Sequence, residues 1–136
     1  MNYSFPENFW WGSASSALQT EGESQGGGKG LTTWDHWFSQ QPNRFHQGVG
    51  PQQTSTFYQN WKADIQLLKT LNHNSFRTSI SWARLIPDGI GEVNPEAVTF
   101  YNQVIDELIE QGITPFICLF HFDMPMAMQE IGGWEN

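Results

Sequence analysis

Positive charge is scarce in this 136-residue sequence: six Lys and Arg stand against fourteen Asp and Glu, giving a formal charge of −8. A surface of that sign repels a phosphate backbone, and no basic run or recognition helix offsets it, so DNA or RNA binding is excluded as a function. Cysteine is nearly absent. The single Cys118 sits in the apolar run FICLF and cannot form an internal disulfide, which fits a reducing compartment and an inert core side chain. Long apolar runs are missing too, and the opening MNYSFPENFWW has no basic segment followed by an apolar stretch. The expectation is a soluble, cytoplasmic protein without a membrane partner. Metal chemistry lacks its ligands: His121 and Asp123 are too few, and His36, His46 and His73 stand in no ligand spacing. The glycine run Gly26-Gly27-Gly28-Lys29-Gly30 lacks the Lys-Ser/Thr ending of a phosphate-binding loop. No cofactor is expected.

Aromatic side chains are plentiful, with seven Trp and ten Phe. They fill large cores, and they also make the flat walls of sites for carbohydrates and other amphipathic ligands. The length suits one modest domain and falls well short of the roughly 250 residues of a closed eight-unit β/α barrel. Either the fold is small or the sequence is a piece of a larger one.

Periodicity along the chain reads as a β/α series. Phe9-Trp10-Trp11-Gly12 is a short strand candidate leading into the small residues Ser13 to Ala17, with Gln19 and Glu21 where such a strand would open to solvent. Residues 22–53, rich in Gly, Gln and Pro, read as one long loop insertion. From Thr56 to Thr70 apolar residues recur at helical steps, with Phe57, Trp61, Ile65, Leu68 and then Leu71 on one face; Thr54, Ser55 or Thr56 supplies the cap, and Asn72-His73-Asn74 forms the closing turn. Phe76 to Trp82 alternates as a strand, with Arg77, Ser79 and Ser81 on its polar side. That side faces either solvent or a site.

Asn94-Pro95-Glu96 is a helix start, Asn as cap and Pro at the first helical position. A face of Val98, Tyr101, Ile105, Leu108 and Ile109 follows, and Gly112 closes the helix. Ile113 to Phe120 is a near-continuous apolar run suited to a parallel strand buried on both faces. His121 and Asp123 stand at its end, where a β/α protein builds its site, and a further short helix starts near Pro125.

Three segments in order, FWWGSASSALQTEG (9–22), NSFRTSISWARLIPDG (74–89) and LFHFDMPMAMQEIGGWEN (119–136), resemble the amino-terminal part of glycoside hydrolase family 1, the retaining β-glycosidases. The wording is most similar to the bacterial 6-phospho-β-glucosidases. The resemblance implies an α/β fold, about three strands of a (β/α)8 TIM barrel. It implies that Gln19 and His121 bind sugar hydroxyls and that Arg77 supports the nucleophilic carboxylate. Many members carry Trp after that His where this sequence has Phe122, and their Asp-His-Tyr-His-Arg stretch is replaced by residues 56–60.

Gln and neutral His each donate and accept, as sugar hydroxyls require, and Arg77 can hold a carboxylate ionised without being one. Retaining hydrolysis needs two carboxyl groups about 5–5.5 Å apart. In relatives these lie on the fourth and seventh strands, in Asn-Glu-Pro-like and Glu-Asn-Gly-like segments that this sequence does not contain. The resemblance therefore places both the acid/base and the nucleophilic Glu beyond Asn136, and no catalytic carboxyl is expected within residues 1–136. Glu135, in a structural stretch, and Glu21, a structural hydrogen-bonding residue, do not replace them. Residues 1–136 alone are expected to be an incomplete catalytic barrel, inactive as a hydrolase and liable to self-association. The parent activity expected is hydrolysis of phosphorylated β-glucosides. A 6-phospho-β-galactosidase or plain β-glucosidase is the neighbouring enzyme reading, and a non-catalytic sugar-binding or structural module the non-enzymatic one.

Overall fold

A computed structural model describes residues 3–23 and 26–136. Residues 1–2 of the opening stretch and residues 24–25 of the segment read as loop lie outside it. The elements are β1 (Gly12–Ala14), α1 (Ala17–Thr20), α2 (Thr33–Gln40), α3 (Phe57–Thr70), β2 (Ser75–Ser79), α4 (Trp82–Leu85), α5 (Pro95–Glu110), β3 (Thr114–Cys118) and α6 (Met126–Glu130), with single 3₁₀ turns at Pro42–Arg44, His46–Gly48 and Gly133–Glu135. The strands form one unclosed parallel sheet in the order β1-β2-β3, with Gly12 beside Ser75 and Ser75 beside Thr114. Parallel neighbours need crossovers, and α3 and α5 supply them. All three strands therefore point their carboxyl ends the same way. Gly12 permits the close approach of β1 to β2, because a Cβ there would collide with the Ser75 carbonyl.

The core lies between the sheet and the paired helices α3 and α5: Phe57, Ile65, Phe76, Phe100, Tyr101, Val104, Leu108 and Ile113 are buried together. Each such aliphatic or aromatic side chain contributes about 1.5–3 kcal/mol on removal from water. Helix α5 starts as its sequence requires. The Asn94 side chain accepts from the Glu96 amide, and Pro95 opens the helix. It ends at Gly112, whose positive φ of 73° lets the amides of Gly112 and Ile113 turn back to the Ile109 and Leu108 carbonyls.

Several expectations are corrected. The first strand lies at 12–14 rather than 9–12; Phe5, Phe9 and Trp11 instead pack on one another at 4.6–4.8 Å centroid distances. The segment 22–53 contains α2, nucleated by a capping box in which Asp35 N–H donates to Thr32 Oγ1 and Thr32 N–H donates to Asp35 Oδ2. No side chain caps α3, since Thr56 takes a left-handed conformation (φ 57°) and turns its hydroxyl to the Ser55 carbonyl. The buried face of α5 is Ala97, Phe100, Tyr101, Val104 and Leu108, while Val98 and Ile109 are exposed. Both stripes satisfy a 3.6-residue period and share Tyr101 and Leu108, and the large ring of Phe100 turns the buried face toward Ala97 and Val104. Leu71 is exposed because it follows the last turn of α3. Strand β3 is at the sheet's edge, with Thr114 and Phe116 exposed rather than buried on both faces.

Candidate active site

The polar residues beyond the strand ends converge. Ser15 and Ser16 follow β1, Ser81 follows β2, and His121 to Asp123 follow β3. The polar side of β2 faces this meeting point: the Ala17 amide donates to Ser79 Oγ at 2.7 Å, and Arg77 Nη1 donates to the Ser15 carbonyl at 2.8 Å. Beside them opens a cleft of about 420 Å³ lined by Leu18, Gln19, Trp34, Phe45, Val49, Gly50, Pro51, Thr54, His121 and Phe122. Gln19 from α1 and His121 from the β3 end thus share one cavity. Its polar end carries these two side chains, and its other wall is aromatic and aliphatic.

Hydrogen bonding fixes what the polar end offers. Ser16 Oγ donates to Gln19 Oε1 at 2.8 Å, so the Gln19 amide nitrogen remains as a donor. Arg77 Nη2 lies 3.2 Å from His121 Nδ1. A guanidinium has only donors, so Nδ1 must accept, and the proton of the neutral ring sits on Nε2. Arg77 thereby sets the tautomer that makes His121 Nε2 a donor. Asp123 holds the turn: its carboxylate accepts from the His121 amide at 3.3 Å and from the Trp82 amide at 3.1 Å, joining the ends of β3 and β2. Between them Phe122, 64% exposed, takes φ +66°, a left-handed conformation that is strained for a bulky residue. Such strain of about 1–3 kcal/mol persists only where neighbours impose it. Here the two Asp123 bonds do so.

The carboxylates near the strand ends are otherwise engaged. Glu21 Oε2 accepts from Arg84 Nε at 2.8 Å and Oε1 from the Tyr101 hydroxyl at 2.7 Å, all three side chains being buried. Burial pushes the Glu21 carboxyl above its ordinary range, with Arg84 pulling it partly back; burial likewise raises Asp123. No Asp or Glu lines the cleft among the described residues. The cleft presents hydrogen-bond donors from Gln19 and His121, and those carboxylates serve as struts.

Trp34, Phe45 and Val49 were not among the sequence-based site residues, because they lie in the segment read as loop. The rings of Trp34, Trp37, Phe38 and Phe45 pack at 4.9–6.2 Å between centroids. Backbone bonds from Thr33 N–H to the Met124 carbonyl (3.0 Å) and from Met126 N–H to the Leu31 carbonyl (2.7 Å) tie this wall to the β3 end. The Thr32-x-x-Asp35 spacing ahead of an aromatic run was the signal that could have revealed it. The residues near position 136 play a different part. Trp134 packs on Phe120 and Trp82, outside the cleft lining. Asn136 is exposed, and its side-chain amide donates to the Ile131 carbonyl at 2.9 Å, again away from the cleft lining. Glu135 beside it is exposed and also absent from that lining.

Parallel strands linked by helices, with polar side chains gathered where the strands end, define an α/β protein. The profile described as glycosyl hydrolase family 1 matches residues 1–136, and the chain belongs to that family. It is 62% identical over 134 residues to the 6-phospho-beta-glucosidase GmuD of Bacillus subtilis, covering 98% of this chain and 29% of that protein. It is 42% identical over 132 residues to beta-glucosidase A of Thermotoga maritima, covering 97% and 29%. Among solved structures, the family 1 β-glucosidase from Thermotoga maritima superposes with a TM-score of 0.91 at 42% identity, over 97% of this chain and 30% of that one. An aphid myrosinase superposes with a TM-score of 0.94 at 35% identity, over 98% and 29%. The chain spans less than a third of the length of these relatives, and its open sheet corresponds to the amino-terminal part of their TIM barrel. Among the described residues, no helix is long and apolar enough to cross a membrane.

Proposed function

We propose that the protein carrying this chain is a retaining β-glycosidase that hydrolyses 6-phospho-β-glucosides in the cytoplasm after their uptake. The observation that carries the reading is the shared cleft of Gln19 and His121, backed by Arg77 at the His121 ring. Gln19 and His121 hold hydroxyls of the glycone, and Arg77 orients and keeps ionised the carboxylate that attacks the anomeric carbon. On this reading the acid/base and nucleophilic carboxyls come from sequence other than these 136 residues, and a cleft lining without Asp or Glu among the described residues supports it. The two-carboxylate route needs no metal or organic cofactor. The phosphate preference draws on the likeness to the Bacillus subtilis protein named a 6-phospho-beta-glucosidase, while the plain β-glucosidase reading draws on the Thermotoga relative.

Steady-state kinetics of the whole protein on aryl 6-phospho-β-glucoside, 6-phospho-β-galactoside and β-glucoside decides among them. The expected result is a kcat/KM at least about 100-fold higher for the first than for the third, the size of effect that a lost charge-assisted contact produces. A higher value for the third would make the enzyme a plain β-glucosidase, a higher value for the second a 6-phospho-β-galactosidase, and equal values would refute a phosphate preference. Residues 1–136 expressed alone should self-associate, because β1 and β3 leave open strand edges and Trp10, Phe116 and Leu119 are exposed. Sedimentation of that polypeptide should show concentration-dependent mass; a monodisperse monomer contradicts the expectation.

A further inference from the structure

Tyr101 lies on α5, outside the cleft lining, yet its hydroxyl joins the supports of both sugar grips. It donates to Glu21 Oε1 at 2.7 Å and accepts from the Ser81 amide at 2.8 Å. On the Glu21 side, the Glu21 amide closes α1 on the Ala17 carbonyl (2.9 Å), and its own carbonyl accepts from the Tyr58 amide (3.1 Å). Fixing Glu21 therefore anchors the carboxyl end of the single turn that carries Gln19, whose amino end is held by the Ala17–Ser79 bond and whose Gln19 side chain accepts from Ser16 Oγ. On the Ser81 side, the next amide, that of Trp82, donates to Asp123, and Asp123 holds the His121 amide. A continuous hydrogen-bonded path, buried from Glu21 through Tyr101 to Ser81 and half-buried from Trp82 to Asp123 and His121, thus runs from the α1 turn to the β3 end.

We infer that Tyr101 is a positioning residue that holds Gln19 and His121 at the spacing one sugar ring requires, an inference that rests on the functional reading above. One turn of helix has no stability of its own, so its placement depends on what it is bonded to. Strand-end turns such as His121–Asp123 likewise take their geometry from their anchors. Tyr101 is an anchor common to both turns, acting beside the Arg77 bridge from Ser15 to His121 and the Ala17–Ser79 bond, so the distance between the two grips depends on it as well as on those contacts. Arg84 reinforces the same anchor: it is buried against Glu21, lies over the Tyr58 ring at 3.9 Å, and donates to the Gly22 and Gly26 carbonyls. Groups facing the path are Lys29, which lines the same small void as Glu21, Ser81 and Asp123, and Asp123 itself, whose charge acts on Glu21.

The test is a double-mutant cycle in the whole protein with an aryl 6-phospho-β-glucoside as probe. Tyr101→Phe removes one hydroxyl and keeps the ring, and it should lower kcat/KM about tenfold through displaced grips. In a Gln19→Ala background the same change should cost less than about twofold, because with one of the two grips gone their spacing no longer bears on binding. A merely structural role would lower the melting temperature and give the same kinetic loss in both backgrounds. That outcome, or no loss from Tyr101→Phe in the unmodified background, overturns the inference. If Tyr101→Phe does not fold, Glu21→Gln, which keeps shape but exchanges an acceptor for a donor, is taken through the same cycle with the same expected pattern. A wild-type protein that hydrolyses no β-glycoside overturns the functional reading and this inference together, whereas an active wild type with additive losses overturns this inference alone.

Discussion

Replacing Arg77 by Met in the whole protein is expected to lower kcat by about 100- to 1,000-fold, the cost of removing a preorganised charged donor from a site where charge develops. Arg77 is only partly buried, and its contacts are one carbonyl, that of Ser15, and the His121 ring. The substitution keeps much of the side-chain volume and strands no buried acid, so the fold should survive it. On the proposed function two roles are lost together: the cation that keeps the attacking carboxylate ionised, and the donor that holds the His121 proton on Nε2. Initial-rate kinetics beside a thermal melt separates these from unfolding. A variant with normal kcat and raised KM would instead make Arg77 a ground-state binding contact.

Arg84→Met should be the most damaging substitution for stability, at about 3–5 kcal/mol near neutral pH, as expected when one partner of a buried ion pair is removed. Arg84 is fully buried and pairs with Glu21. Without it Glu21 keeps the Tyr101 hydroxyl but loses its counter-charge. Burial already raises the Glu21 carboxyl above its ordinary value of 4.5, and the loss of Arg84 raises it further. The folded variant then binds a proton more tightly than the unfolded chain does. Its stability is retained below the ordinary carboxylate range and lost as pH rises through the folded-state value. The deficit relative to wild type should therefore be smaller at pH 5 than at pH 8 in chemical denaturation. A deficit independent of pH would mean that Arg84 acts through packing and its carbonyl contacts alone.

What the sequence displayed depended on how local each signal was. Asn94-Pro95 and Gly112 bound α5 through their own backbone chemistry, and both ends were legible. Which stripe of α5 is buried depends on what packs against it, and periodicity alone admitted the neighbouring stripe with Val98 and Ile109. Strand β3 carries an apolar run but lies at the edge of a three-stranded sheet, a matter of topology that composition does not encode. The capping box at Thr32 and Asp35 was local yet overshadowed by the surrounding Gly, Gln and Pro, so the aromatic wall of Trp34 and Phe45 went unread. Gln19, Arg77 and His121 were singled out by their motifs. Their placement in and behind one cleft depends on three parallel strands ending together, and their supports, Glu21, Tyr101, Arg84 and Asp123, come from four different segments. Only the folded chain brings those supports into one path.

The most direct test of the account is the stereochemistry of the first product, followed by ¹H NMR as the whole protein hydrolyses an aryl 6-phospho-β-glucoside. Two closely spaced carboxylates with Arg77 orienting the nucleophile predict the β-anomer of glucose 6-phosphate first, with the α-anomer appearing only by later mutarotation. An α-anomer formed first, or no hydrolysis of this or any other β-glycoside, would contradict it.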